Sequence, residues 1–153
     1  MFKVETILCP VDFSEVSVEA LKCAVDLKNT FNSRIILFHA VEPIVAPADF
    51  TFGSLTPIEV EEKLVERAKG SMRALAAENG LLTDDENTVV VRGTASSEIV
   101  RAAYDLDVDL IVMGTHGYTG MVHVLLGSTA ERVLRKAPCP VMTLRKNSKG
   151  GDS

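Results

Sequence analysis

Asp109-Leu110-Ile111-Val112-Met113 runs directly into Gly114-Thr115-His116-Gly117, and after nine further residues Gly127-Ser128-Thr129 opens a stretch with helical patterning. A five-residue apolar run bounded by glycine predicts a buried parallel strand. Strand, glycine loop and helix start, in that order, supply unpaired backbone N–H groups and the positive end of a helix dipole, both suited to an anion. Glycine suits such a loop because a phosphate can approach the main chain with no Cβ in the way. Any one of these glycines alone reads equally well as turn punctuation; their joint spacing carries the signal.

Outward from this segment, strands and helices alternate along the whole chain. Thr6 to Val11 reads as a first strand, and Ser14 offers an N-cap for a helix to about Asn29. Arg34 to Val41 is a second strand, followed by an irregular loop from Glu42 to Leu55 that contains Pro43, Pro47 and Gly53. Loops of that length are often lids or binding segments. Thr56-Pro57-Ile58-Glu59 matches a capping box with proline at the first helical position, so a helix starts there. Val60, Leu64, Val65, Ala68, Met72, Leu75 and Ala76 form its apolar stripe, and Asn79-Gly80 stops it. Thr88 to Val91 is a third strand and Ser96 to about Leu106 a third helix. Ser128 to Lys136 is a short last helix and Val141 to Leu144 a last strand. This alternation implies βαβ crossovers and a five-stranded, doubly wound, Rossmann-like α/β fold, a parallel sheet with helices on both faces.

The chain's 153 residues fit one domain, taken as residues 1–146, with a polar tail over 147–153 expected to be disordered. A hydrophobic content of 46% with 24% charged residues is that of an ordinary globular protein, and no apolar run approaches the roughly 20 residues of a membrane span. The first residues lack the features of a secretory signal, so a cytoplasmic location is expected. A net charge of −5 argues against general nucleic-acid binding, which draws its affinity from lysine and arginine on phosphates. Cys9, Cys23 and Cys139 are odd in number and widely spaced, which disfavours disulfides and a zinc knuckle; buried thiols are expected.

In open α/β sheets the ligand lies beyond the carboxyl ends of the strands, where strand order reverses. Three segments are expected to meet there: Pro10-Val11-Asp12-Phe13-Ser14, Val41-Glu42 and the glycine loop. Asp12 can accept from a base amine or a ribose hydroxyl, or cap the first helix in rivalry with Ser14. Backbone groups around Val41 can meet an adenine edge.

Met113-Gly114-Thr115-His116-Gly117, Gly127-Ser128-Thr129-Ala130-Glu131 and Ala137-Pro138-Cys139-Pro140-Val141 resemble the universal stress protein family of the UspA kind, from the Pro10-Val11-Asp12 turn to Leu144. The most specific element is G-x2-G-x9-G-[ST], the pattern of that family's ATP-binding branch, which this chain meets without a gap. The resemblance implies a sheet in the order 3-2-1-4-5, a homodimer, and ATP or a related adenine nucleotide (AMP or ADP) between the first and fourth strands. It places Pro10, Val11 and Asp12 beside the adenosine and the Val41 backbone on the adenine. Met113 and Gly114 approach the ribose, and His116, Gly117, Gly120, Gly127, Ser128 and Thr129 surround the phosphates. Thr129 stands where the family commonly has valine.

Binding is favoured over catalysis. No P-loop lysine follows a glycine in the required register, and no lysine or arginine lies between Gly114 and Gly127. A helix N-terminus supplies only about half a positive charge against the several negative charges of a triphosphate, so a bridging Mg2+ held mainly by phosphate and water is expected, with no protein metal ligands assigned. No catalytic residue is assigned either; His116 is the best-placed group to position a water, and phosphate contact is its preferred reading. His39 and His123 have no metal-ligand spacing. Asp107 and Asp109 precede the fourth strand and belong at the opposite end of the sheet. The G-x-G-x-x-G turn of a dinucleotide-binding dehydrogenase is absent after the first strand. The leading expectation is a regulatory or stress-response nucleotide-binding protein; the alternative is a slow ATPase or nucleotidyl-transferring enzyme. Val141 to Leu144, as an apolar edge strand, is expected to pair two copies around a two-fold axis.

Overall fold

A helix laid between two strands carries the chain back to the starting end of the sheet, so successive strands run parallel. The computed structural model describes residues 1–115 and 126–146. Its elements are β1 (Thr6–Pro10), α1 (Glu15–Phe31), β2 (Arg34–Val41), α2 (Pro57–Glu78), β3 (Thr88–Arg92), α3 (Ala95–Asp105), β4 (Leu110–Gly114), α4 (Ser128–Lys136) and β5 (Val141–Leu144). The sheet order is β3-β2-β1-β4-β5, with every neighbouring pair parallel. This is the five-stranded doubly wound architecture expected from the alternation. The proposed tail over 147–153 lies outside the described residues.

Successive residues of a strand face opposite sides of the sheet, and the core divides accordingly. Ile7, Cys9, Ile35, Leu37, Leu110 and Val112 pack on one face under Ala20, Leu21 and Ala24 of α1 and Met72 and Ala76 of α2. Leu8, Ile36, Phe38, Ile111 and Met113 pack on the other face under Ile99, Ala102 and Ala103 of α3 and Ala130 and Val133 of α4. Each large side chain removed from water in this way contributes about 1.5–3 kcal/mol.

The helix starts follow local chemistry. Ser14 caps α1 by accepting from the Ser17 N–H, which leaves Asp12 out of the cap position. Thr56 and Glu59 form the complete capping box at α2, the Glu59 carboxylate accepting from the Thr56 N–H at 2.7 Å. Asp109 stands at the start of β4, where one oxygen, Oδ2, accepts from the N–H groups of both Glu5 and Thr6 at 2.9 Å. It ties the entry of β1 to β4 and lies at the far end of the sheet from the strand C-termini, as expected.

Two expectations need correction. The α2 stripe is narrower than its periodicity suggested: the buried residues Ala68, Met72 and Ala76 all lie in the C-terminal half of the helix, and Leu64 is 40% exposed. Of the three cysteines only Cys9 is fully buried; Cys23 and Cys139 are half-buried free thiols. Within the Glu42 to Leu55 loop, Phe52 and Leu55 form an isolated antiparallel bridge around Gly53, whose φ of 65° favours glycine. Among the described residues no helix is long and apolar enough to cross a membrane.

Candidate functional site

β1 pairs with β4 only at Ile7–Leu110 and Leu8–Ile111, whereas β1 follows β2 on to Pro10–Phe38 and β4 follows β5 on to Gly114–Leu144. The two central strands therefore part company at their carboxyl ends. Pro10 supplies a reason. In a parallel strand N–H groups point alternately to the two neighbours; Val11 donates to the Phe38 carbonyl of β2, so the position of Pro10 faces β4, and proline has no N–H to give. A crevice opens where strand order reverses, the usual ligand position in this architecture.

The crevice is a cleft of about 250 Å³. Pro10, Val11 and Asp12 form one wall, Phe38, His39 and Ala40 of β2 extend it, and Met113, Gly114 and Thr115 form the other. The N-termini of α3, through Ala95 and Ile99, and of α4, through Gly127, Ser128, Thr129 and Ala130, close it. No lysine or arginine is among these residues. Among the described residues an anion here would meet backbone N–H groups and hydroxyls rather than a lysine or arginine.

The helix N-termini around the cleft differ. α1 is capped by Ser14. At α3 the N-cap Thr94 makes no side-chain bond, and a carboxylate oxygen of Glu42 stands 3.4 Å from the Ala95 nitrogen, so that end already faces a negative charge. At α4 the N-cap is Gly127, which has no side chain to offer. Its backbone, at φ −68° and ψ 157°, is a conformation open to any residue. The glycine is therefore not required by strain, and the first turn of α4 faces the cleft without a side-chain cap. Gly127 N–H donates to the Thr115 carbonyl at 2.5 Å, and Thr115 N–H donates to Leu144 of β5 at 2.8 Å. These bonds bring the two ends of the glycine loop together over the end of β4.

Gly114 has a different reason for being glycine. A Cβ there would overlap the Val16 Cγ1 of α1 and lie 3.3 Å from the Val16 carbonyl carbon and 3.4 Å from the Ser17 nitrogen. Close approach of α1 to the end of β4 explains this glycine whether or not a ligand is bound.

Of the residues singled out from sequence, Pro10, Val11, Asp12, Met113, Gly114, Gly127, Ser128 and Thr129 line one cleft. Asp12 Oδ1 accepts from the Ser14 N–H at 3.0 Å, closing a side-chain turn ahead of α1. Val41 is buried and does not line the cleft; its carbonyl accepts from the Gly93 N–H at 3.0 Å. His116, Gly117, Gly120 and His123 lie outside the described residues. Sequence reasoning assigned no role at the site to His39, Thr115, Ala130 or the α3 start at Ala95 and Ile99. The end of β2 was expected at the site through Val41, and the structure puts Phe38, His39 and Ala40 there instead; α3 was not expected, although the strand-to-helix spacing at Thr94-Ala95 was a usable signal. Among the described residues no three His, Cys, Asp or Glu side chains gather as a metal-ligand group.

Fold and cleft together define a doubly wound α/β protein with a crevice at the switch point of its sheet. The sequence profile of the universal stress protein family matches residues 3–145, and the chain belongs to that family. Universal stress protein MJ0531 of Methanocaldococcus jannaschii is 36% identical over 146 residues, covering 94% of this chain and 83% of that protein. Universal stress protein MJ0577 of the same organism is 34% identical over 155 aligned positions, covering 93% and 96%. The solved structure of MJ0577 superposes with a TM-score of 0.78 at 32% identity, over 95% of this chain and 99% of that one. UspA from Lactobacillus plantarum shares the fold with a TM-score of 0.80 at 24% identity, over 94% and 99%.

Proposed function

We propose that this chain is an adenine-nucleotide-binding universal stress protein, with ATP, or AMP or ADP, held in the β1–β4 cleft, and that it acts as a regulatory dimer in a stress response. The observation that carries this reading is the N-terminus of α4, capped by a glycine and turned to a cleft without lysine or arginine, while the α3 start faces the Glu42 carboxylate. Free first-turn N–H groups and a positive dipole end favour an anion at α4. The phosphates then lie against Gly127, Ser128 and Thr129, whose hydroxyls add donors, together with His116, Gly117 and Gly120 of the motif. The adenosine extends toward Pro10, Val11 and Asp12, past Met113 and Gly114; the Val41 backbone expected at the base stands outside the cleft, its carbonyl accepting from the Gly93 N–H, and Phe38, His39 and Ala40 are the β2 residues that line it. A Mg2+ bridging the phosphates supplies the charge that a helix end of about half a unit cannot.

β5 is the terminal strand of the sheet, and Met142 on it is 39% exposed. An apolar edge with no further strand beside it among the described residues supports dimerisation through Val141 to Leu144. Light scattering should give twice the 16.5 kDa chain mass at micromolar concentration. A monomer would reject the dimer.

Gly127→Asp tests the nucleotide reading. The backbone angles at 127 accept the new residue, and its carboxylate caps α4 and occupies the place offered to the phosphate. Thermal stability should hold or rise while calorimetric affinity for ATP with Mg2+ falls by about tenfold or more, the equivalent of about 1.4 kcal/mol. Equal affinity in the variant, or no heat from the wild-type protein, would remove the basis for a phosphate at α4.

A further inference from the structure

His39 lies beside the cleft, yet strand alternation sends its side chain to the other side of the sheet, with Ile35 and Leu37 in the core under α1 and α2. There its Nδ1 is 2.7 Å from the carbonyl oxygen of Val11. A carbonyl can only accept, so Nδ1 carries the hydrogen and donates, which selects the imidazole tautomer. The His39 ring also packs on Phe13, with centroids 4.9 Å apart and planes at 49°. Phe13 has φ of 64°, in the left-handed region that a side chain disfavours, and is held there by its surroundings.

We propose that His39 is a positioning residue that holds the β1–α1 turn from the reverse face of the sheet and thereby sets where Asp12 stands in the cleft. One side chain grips the residues on both sides of Asp12, Val11 through its carbonyl and Phe13 through its ring. Val11 is further fixed by its N–H to the Phe38 carbonyl at 2.8 Å. The bonds of Asp12 itself are local: its carboxylate accepts from Ser14, and its N–H faces Ser17 Oγ at 3.4 Å. Those bonds shape the turn internally, and His39 anchors it to β2.

The proposal rests on the nucleotide reading for its effect on affinity, but the anchoring itself does not. The test compares His39→Asn, which keeps a donor near Nδ1, with His39→Gln and His39→Phe, which do not, using titration with ATP and Mg2+ together with nitrogen-15 NMR. Nδ1 should be the protonated nitrogen of neutral His39 in the free protein. His39→Asn should bind within about threefold of wild type, and His39→Gln and His39→Phe should lose about tenfold, the scale of one hydrogen bond. In an Asp12→Ala background His39→Phe should cost no further affinity, because its effect passes through Asp12. A hydrogen on Nε2 instead, an unaffected His39→Phe, or a full loss persisting without Asp12 would each overturn the proposal. Should the wild-type protein bind no nucleotide, the nucleotide reading fails, and amide spectra decide the anchoring. His39→Phe must then shift and faster exchange the Asp12, Phe13 and Ser14 amides while His39→Asn leaves them; unchanged amides in His39→Phe refute it.

Discussion

Gly114→Ala isolates a single contact between the end of β4 and the first turn of α1. The added Cβ overlaps Val16 Cγ1 and presses on the Val16 and Ser17 backbone. Valine in a helix has one strongly preferred rotamer, so the methyl does not swing aside at no cost. Leaving that rotamer costs about 0.5–1.5 kcal/mol, and withdrawing the helix turn opens a seam beside Val16, which is only 6% exposed. Overpacking of this kind costs about 1–3 kcal/mol. For a chain of this length each kcal/mol is about 2–4 °C, so differential scanning calorimetry should show a Tm lower by about 2–12 °C. Val16→Ala removes the obstructing methyl; the double variant should therefore be more stable than the summed single effects by about 1 kcal/mol. Strict additivity, or an unchanged Tm in Gly114→Ala, would refute the packing account. The double variant also separates two reasons for a glycine here. ATP affinity recovered along with stability makes Gly114 a helix-packing residue; stability recovered with affinity still about tenfold down makes it a residue of ligand approach.

Asp109→Ala withdraws the shared acceptor of the Glu5 and Thr6 N–H groups and should lower the denaturation free energy by about 1–3 kcal/mol, with nucleotide affinity intact because the site is at the other end of the sheet; an unaltered denaturant midpoint would contradict it. Glu59 is held below its usual pKa of 4.5, first by the Thr56 N–H and then by the Thr56 hydroxyl. Its contribution is present above pH 4.5 and lost as pH falls through the lower folded value, so Glu59→Gln should flatten part of the acid-side fall in Tm; parallel curves for the two proteins would count against it. Burial pushes the Cys9 thiol up to about 12, and Cys23 and Cys139 are raised less and partly exposed. A thiol-disulfide reagent at pH 8 should therefore titrate two thiols in the folded protein and the third only on unfolding. Three prompt reactions would contradict the burial of Cys9.

Local patterns carried most of the element order. The capping box at Thr56 and Glu59 starts α2 where expected, because both partners lie within one turn and need no distant neighbour. β2, α4 and β5 have the expected bounds, because apolar runs between glycines, prolines and caps leave little choice of period. The uncapped start of α4 was legible for the same reason, since a missing cap is a property of one residue, Gly127. Depth along a helix was not: the stripe on α2 shows which residues share a face and does not show that Leu64 stays exposed.

The chain's own residues thus determined the alternating elements, their caps and the glycine pair at the ends of the loop. Tertiary structure alone decided that β1 and β4 separate after Leu8 and Ile111, that α3 borders the opening, and that β2 reaches it through Phe38, His39 and Ala40. It also decided that Val16 fills the space beside Gly114 and that His39 reaches behind the turn to Val11. The physical reason is one of range. Caps and periodicities act over a few residues, whereas these contacts join positions far apart in sequence, and they exist only once the sheet has set which strands are neighbours.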